Sequence, residues 1–275
     1  MAITWNSIQL AVFDLDGTLY EDTHHFKYYA NQLASKLPEE KRSLFWKDYY
    51  KMLKGKQPIV IGRVYDVDQD RILEVNPETY QVTKTWDWNG DIISAGEDYQ
   101  GTITFDFDSM IAIGDGWWLP VAAAKHYGVG STFDAYQRTK TYMQTEDFQF
   151  TNDPSRREDL LKLEERFNLV LLTNSQADDV ERLLKALDLE GIFHHIIPNA
   201  KKPAQTKAHF RSLLQQYDVK PAEVISIGDN YLNDIVPAEN MGMHAVLIDP
   251  QGATPIRTTT ERIQTLSELF SLIQD

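Results

Sequence analysis

Two carboxylates one residue apart, Asp14 and Asp16, follow the apolar run Leu10-Ala11-Val12-Phe13 and precede Gly17 in the string Asp-Leu-Asp-Gly-Thr-Leu. Residues two apart on an extended backbone point the same way, so both acids face one side. Like charges that close repel unless a cation or a proton lies between them, which suits the pair to metal binding and acid–base work. A second acidic pair, Asp229 and Asp234, begins with Gly228 where the run Val224-Ile225-Ser226-Ile227 ends. Between the two pairs, another apolar run ends in Thr173-Asn174-Ser175, whose small polar side chains, with the N–H groups opening a following helix, can hold a phosphoryl oxygen. Lys201-Lys202-Pro203 supplies cations. Taken singly, each has a plain structural alternative: an acidic turn, a helix cap, a solvated lysine.

These groups need elements that bring them together. Apolar runs without polar alternation are those of parallel strands covered on both faces by helices, and open α/β sheets place ligands at the carboxyl ends of such strands. Strand and helix patterns alternate at both ends of the chain, which predicts a doubly wound parallel (Rossmann-like) sheet. Between these ends the character changes. Phe26, Tyr29 and Leu33, capped by Thr23, and then Phe45, Tyr49 and Met52 beyond Pro38 predict a helical hairpin whose aromatic stripe is a buried face. Over residues 58–114 the period becomes two: strands are expected at Ile59 and Ile61 through Val64-Tyr65, at 80–86, at 91–93 after the Asn89-Gly90 turn, and at 102–105. Gly114-Asp115-Gly116 reads as a turn, and helices follow at 119–127 and 132–143. Asn152-Asp153-Pro154, with Asp153 as cap, opens a helix through Leu160, Leu163 and Phe167. Further helices are expected at 178–187 and around Phe210, strands at 193–197 and 243–248, and a last helix at 261–273.

Composition limits the function. A formal charge of −14 disfavours a nucleic-acid backbone or an anionic membrane surface as partner, so a phosphorylated substrate needs a local cation. Zero cysteines exclude disulfides, thiolate metal sites and a cysteine nucleophile, in keeping with a cytoplasmic protein. A cationic leader and a membrane-length apolar run are both absent, so a soluble, unexported protein is expected.

Asp-Leu-Asp-Gly-Thr-Leu at 14–19, the strand ending in Thr173-Asn174-Ser175, Lys202-Pro203 and Gly-Asp with a second acid at Asp234 resemble, in order, the four motifs of the haloacid dehalogenase-like superfamily. That resemblance implies a Mg²⁺-dependent phosphohydrolase acting on a small phosphorylated metabolite through an aspartyl-phosphate. Asp14 would be the nucleophile and Asp16 the general acid and base. Lys202, Thr173 and Asn174 would hold the transferring group, with Lys201 and Lys207 as rivals to Lys202. Asp14, Asp229 and the Asp16 carbonyl would bind the metal, with Asp234 acting directly or through water. Dehalogenases of the superfamily lack the second aspartate and transport ATPases carry threonine there, so Asp16 favours ester hydrolysis. A sugar-phosphate mutase and a non-catalytic binding module are the alternatives. The resemblance also implies a core of residues 1–22 and 151–275 and a helical cap at 23–150. The β-rich insert at about 58–114 departs from the ordinary helical cap; it is expected to elaborate the cap, setting specificity or mediating a homodimer, with Asp66, Asp68, Asp70, Asp106 and Asp108 as solvated turn residues.

Overall fold

The four residues Leu10–Phe13 form strand β1 and are all buried. A computed structural model describes residues 3–94, 98–151, 153–250, 252 and 260–274; Asn152 of the expected helix start lies outside them. The chain forms two compact units, Met1–Asp22 with Phe150–Asp275 and, between them in sequence, Thr23–Gln149.

The Thr23–Gln149 unit begins with helices α1 (His24–Ser35) and α2 (Glu39–Leu53), the expected hairpin broken at Pro38. Thr23 stands at the start of α1 but makes no side-chain cap hydrogen bond. Five antiparallel strands follow: β2 (Arg63–Asp66), β3 (Arg71–Val75), β4 (Val82–Trp86), β5 (Ile92–Ile93) and β6 (Met110–Ile113), in the order β5-β4-β3-β2-β6. Helices α3 (Trp118–His126) and α4 (Phe133–Tyr142) complete the unit. Its core joins Tyr29, Leu33 and Phe45 from the helices to Ile72, Trp86 and Ile111 from the sheet. Each large apolar side chain so buried contributes about 1.5–3 kcal/mol, which accounts for the aromatic stripe as packing.

Three expectations in this unit fail, and two of its strands were not foreseen. Ile59 is buried but lies outside any strand, and among the described residues, 102–105 contribute a single bridge, between Gln81 and Thr102. Strands β3 and β6, which supply both neighbours of β2, carry no alternation strong enough to announce them. Asp66 is 5% exposed rather than solvated; it accepts the Gln69 N–H at 3.0 Å and the Tyr99 hydroxyl at 2.7 Å.

The chain re-enters the first unit at Phe150, where Thr151 donates its N–H and hydroxyl to Asp22, tying the outgoing and returning segments together. Helix α5 (Arg156–Glu164) has Ser155, not Asp153, at its cap position; Asp153 instead accepts from the Ser155 N–H and hydroxyl in the turn before the helix. Then come β7 (Asn168–Leu172), α6 (Ala177–Ala186), β8 (His195–Ile197), α7 (Thr206–Gln216) and β9 (Val224–Gly228). A π-helical turn at Tyr231–Ile235 leads into α8 (Val236–Glu239), followed by β10 (His244–Ile248), β11 (Glu261–Ile263) and α9 (Leu266–Gln274). The expected last helix thus opens with a strand, because residues 261–263 pair with β10. All six strands are parallel, in the order β11-β10-β9-β1-β7-β8. The chain builds outward from β1 through β7 and β8, then returns to β1's other side with β9, so the order reverses beside β1. Such a reversal opens a crevice at the strands' carboxyl ends. Among the described residues no helix is long and apolar enough to cross a membrane.

Candidate active site

The acids stand where β1 and β9 end. Asp14 follows Phe13 directly, and its N–H donates to the Ile227 carbonyl of β9 at 2.9 Å, which continues the ladder one residue past the strand. Leu15, fully buried, points away between the two acids. Gly17 turns the chain with φ of 77°, and a Cβ there would come 2.1 Å from Asp229 Oδ2. At Gly228 a Cβ would come 2.4 Å from Asp234 Oδ2. Neither contact is possible, so both motif glycines are required by the carboxylates packed against them.

Ligand oxygens of Asp14, Asp229 and Asp234 lie within 4.8 Å of one another. Three carboxylates that close form an all-oxygen donor set fitting a hard divalent cation. Asp234 is carried into this set by the π-helical turn, a feature common at functional sites. Asn230 secures that turn: its Oδ1 accepts the Asn233 N–H at 3.0 Å, and its own N–H donates to Asp234 Oδ2 at 3.3 Å. Ser226 and Thr206 donate their hydroxyls to the Asp234 and Asn233 carbonyls.

Lys202 is the lysine of the site. It is 2% exposed, and its Nζ lies 2.8 Å from Asp14 Oδ1 and 2.5 Å from Asp234 Oδ1. Burial disfavours its charge, but the two carboxylates outweigh burial and hold its pKa above the usual lysine value, so it stays protonated. Asp14 moves the other way. Burial, opposed by Lys202 and reinforced by the charges of Asp234 and Asp16, pushes its carboxyl up to about 7. Lys201 is exposed, with φ of 53°, and Lys207 lies on α7; neither shares the position of Lys202.

Asn174, expected to hold substrate, instead spends its amide on the lysine's backbone. Its Nδ2 donates to the Lys202 carbonyl at 3.1 Å, and its Oδ1 accepts the Lys202 N–H at 2.7 Å. Thr173 is 1% exposed, and its hydroxyl oxygen accepts the Ser175 N–H at 3.1 Å. Asp16, expected to offer the metal its backbone carbonyl, has its carboxylate outside the three-acid set: Tyr20 donates its hydroxyl to Oδ1, and Ser175 donates to Oδ2 at 2.6 Å. Sequence reasoning included Ser175 in the strand-end tripeptide but foresaw neither its contact with Asp16 nor that of Tyr20. A signal for Ser175 existed, because Thr173-x-Ser175 repeats the two-residue spacing of Asp14-x-Asp16 on the neighbouring parallel strand.

Residues 121–248 match the family described as haloacid dehalogenase-like hydrolase. Over 98% of this chain and 99% of the other, the fold is similar to that of the HAD-hydrolase YfnB of Bacillus subtilis bound to magnesium, at a TM-score of 0.54 and 14% identity. The family match thus covers a little under half of the chain, and the structural likeness extends the fold, not the family, over the rest. An L-2-haloacid dehalogenase is also similar in fold, at a TM-score of 0.51 and 17% identity, covering 98% of this chain and 99% of that one. Among curated relatives, a glyceraldehyde 3-phosphate phosphatase of Pyrococcus furiosus is 30% identical over 119 residues, 41% of this chain and 45% of the relative. The haloacid dehalogenase-like hydrolase domain-containing protein 3 of Xenopus laevis is 33% identical over 75 residues, 26% of this chain and 30% of the relative. The chain therefore spans less than half the length of these curated relatives. The family match contains Thr173, Lys202, Asp229 and Asp234, whereas Asp14 and Asp16 precede it; Asp14 meets Asp229, Asp234 and Lys202, and Asp16 meets Ser175.

Proposed function

We propose that this protein is a Mg²⁺-dependent phosphatase of the haloacid dehalogenase-like superfamily that cleaves a small phosphate monoester through an aspartyl-phosphate on Asp14. The observation that carries this reading is the convergence of Asp14, Asp229 and Asp234 within 4.8 Å, with the Lys202 ammonium bonded to two of them. Asp14, Asp229 and Asp234, with the Asp16 carbonyl, would hold Mg²⁺, which supplies charge neutralisation and orients the transferring group. Asp14 attacks phosphorus, splitting a slow displacement into two easier ones. Lys202 offsets the charge of the phosphoryl oxygens, and the Thr173 hydroxyl donates to one of them. Asn174 acts by fixing the backbone that carries Lys202. Asp16 protonates the leaving oxygen and then takes a proton from the water that hydrolyses the intermediate.

The second unit is assigned the choice of leaving group. Since one relative is a glyceraldehyde 3-phosphate phosphatase, phosphorylated three-carbon compounds and sugars are the first esters to screen. The reading is tested by measuring phosphate release from such a panel with Mg²⁺, with a chelator, and in Asp14→Asn. Turnover confined to the Mg²⁺-loaded wild type is expected; turnover surviving chelation or the substitution overturns the mechanism.

A further inference from the structure

The side chain of Asp16 receives a hydroxyl on each oxygen, Tyr20 on Oδ1 and Ser175 on Oδ2. Both donors are themselves immobilised. Tyr20 is 1% exposed, and its ring meets Phe150 edge-on with centroids 5.0 Å apart. Ser175 is 4% exposed; its N–H is held by Thr173 Oγ1, and its carbonyl accepts the Asn199 N–H at 2.9 Å. One donor lies four residues from Asp16 and the other 159, so only the fold brings them to the same carboxylate.

We propose that Tyr20 and Ser175 are positioning residues that hold the Asp16 carboxyl in one orientation through both of its proton transfers. This inference rests on the reading of Asp16 as general acid and base. A hydroxyl can donate to a carboxylate or accept from a carboxylic acid, so the same two groups fit Asp16 in either state. In the first step the Asp14–phosphorus bond forms, the bond from phosphorus to the ester oxygen breaks, and the Asp16 proton passes to that oxygen. Asp16 is left ionised and accepts both hydroxyls. In the second step a water oxygen bonds to phosphorus, one of its protons returns to Asp16, and Asp14 is released together with phosphate. A carboxyl free to turn about its side-chain torsions would meet the leaving oxygen and the water less often, and efficient proton transfer needs hydrogen-bond reach.

The test compares Tyr20→Phe and Ser175→Ala with wild type and with Asp16→Asn on two substrates, an alkyl phosphate and 4-nitrophenyl phosphate. Only the alkyl ester, with its poor leaving group, needs the proton in the first step. The ratio of kcat/KM for the alkyl ester to that for the aryl ester should fall at least about 10-fold in each hydroxyl variant, and further in Asp16→Asn. With the aryl ester, the slowed second step should appear as a burst of nitrophenolate before steady turnover. Mg²⁺ affinity measured by calorimetry should stay within about threefold of wild type, because the Asp16 side chain stands outside the three-acid set. An unchanged ratio in Asp16→Asn overturns the reading of Asp16 and this inference with it. A changed ratio in Asp16→Asn, but equal losses on both substrates or none in the hydroxyl variants, overturns the positioning role alone.

Discussion

Two aspartates, one in each unit, are almost equally withdrawn from water and behave oppositely. Asp14 is 8% exposed and Asp48 7%. Burial pushes both carboxyls up. At Asp48, the Tyr127 hydroxyl at 2.6 Å, the Trp88 indole N–H at 2.9 Å and Lys51 Nζ at 3.0 Å more than offset burial and hold the carboxyl below its usual range. Asp14 has Lys202 but also shares its surroundings with Asp234 and Asp16, and ends at about 7. Asp48 is supplied with three donors, whereas Asp14 has one ammonium shared with a second acid. That contrast, rather than burial, separates the chemistry of the first unit from the packing of the second.

The sharpest way to break it is to exchange the two aspartates' expected consequences. Lys202→Ala should lower kcat/KM at least about 10²-fold, by leaving the phosphoryl charge unopposed. Asp48→Asn should leave kcat/KM within about threefold of wild type. A comparable loss in Asp48→Asn, in a protein whose circular dichroism is unchanged, would place catalytic groups in the second unit. The same Asp48→Asn variant should lose about 2 kcal/mol of stability in urea unfolding, since Asn has one acceptor oxygen where the carboxylate served three donors.

The opposite sign is expected at Asp14. Its folded carboxyl binds a proton more tightly than the unfolded one, so ionising it between pH 3.8 and about 7 costs stability that asparagine does not. With Mg²⁺ removed, Asp14→Asn should therefore melt above wild type at neutral pH, by on the order of 2–4 °C. The gap should open as pH rises from about 4 to about 7, and a gap that closes over that range would show that Lys202 dominates the site. Asp48 should run the other way. The stability it contributes is present above its unfolded pKa and lost as pH falls through the lowered folded value. Smallest of all, Lys201→Ala and Lys207→Ala should each change kcat/KM by less than about threefold, and a large loss in either would reopen the choice of lysine.

Much of the first unit could be read from the chain alone, because its signals are local. Strands covered on both faces must be apolar throughout, so β1, β7 and β9 appear as unbroken runs, and the residues at their carboxyl ends must face the crevice whatever the rest of the chain does. Hence Asp14, Asp16, Thr173 and Asp229 could be singled out from the chain alone, whereas Lys202 was favoured over Lys201 and Lys207 only by the family resemblance. Tertiary structure decided what depends on partners distant in sequence. Strands β3 and β6 and the segment Glu261–Ile263 exist because neighbours pair with them, and three to five residues carry too little periodicity to say so. The pairing of Asn174 with the Lys202 backbone, and the hydroxyls of Tyr20 and Ser175 on Asp16, depend on loops that meet only after the sheet has assembled. Residue type and spacing along the chain told which groups could react; which partners hold each group in place is a property of contacts across the fold, and only folding makes them.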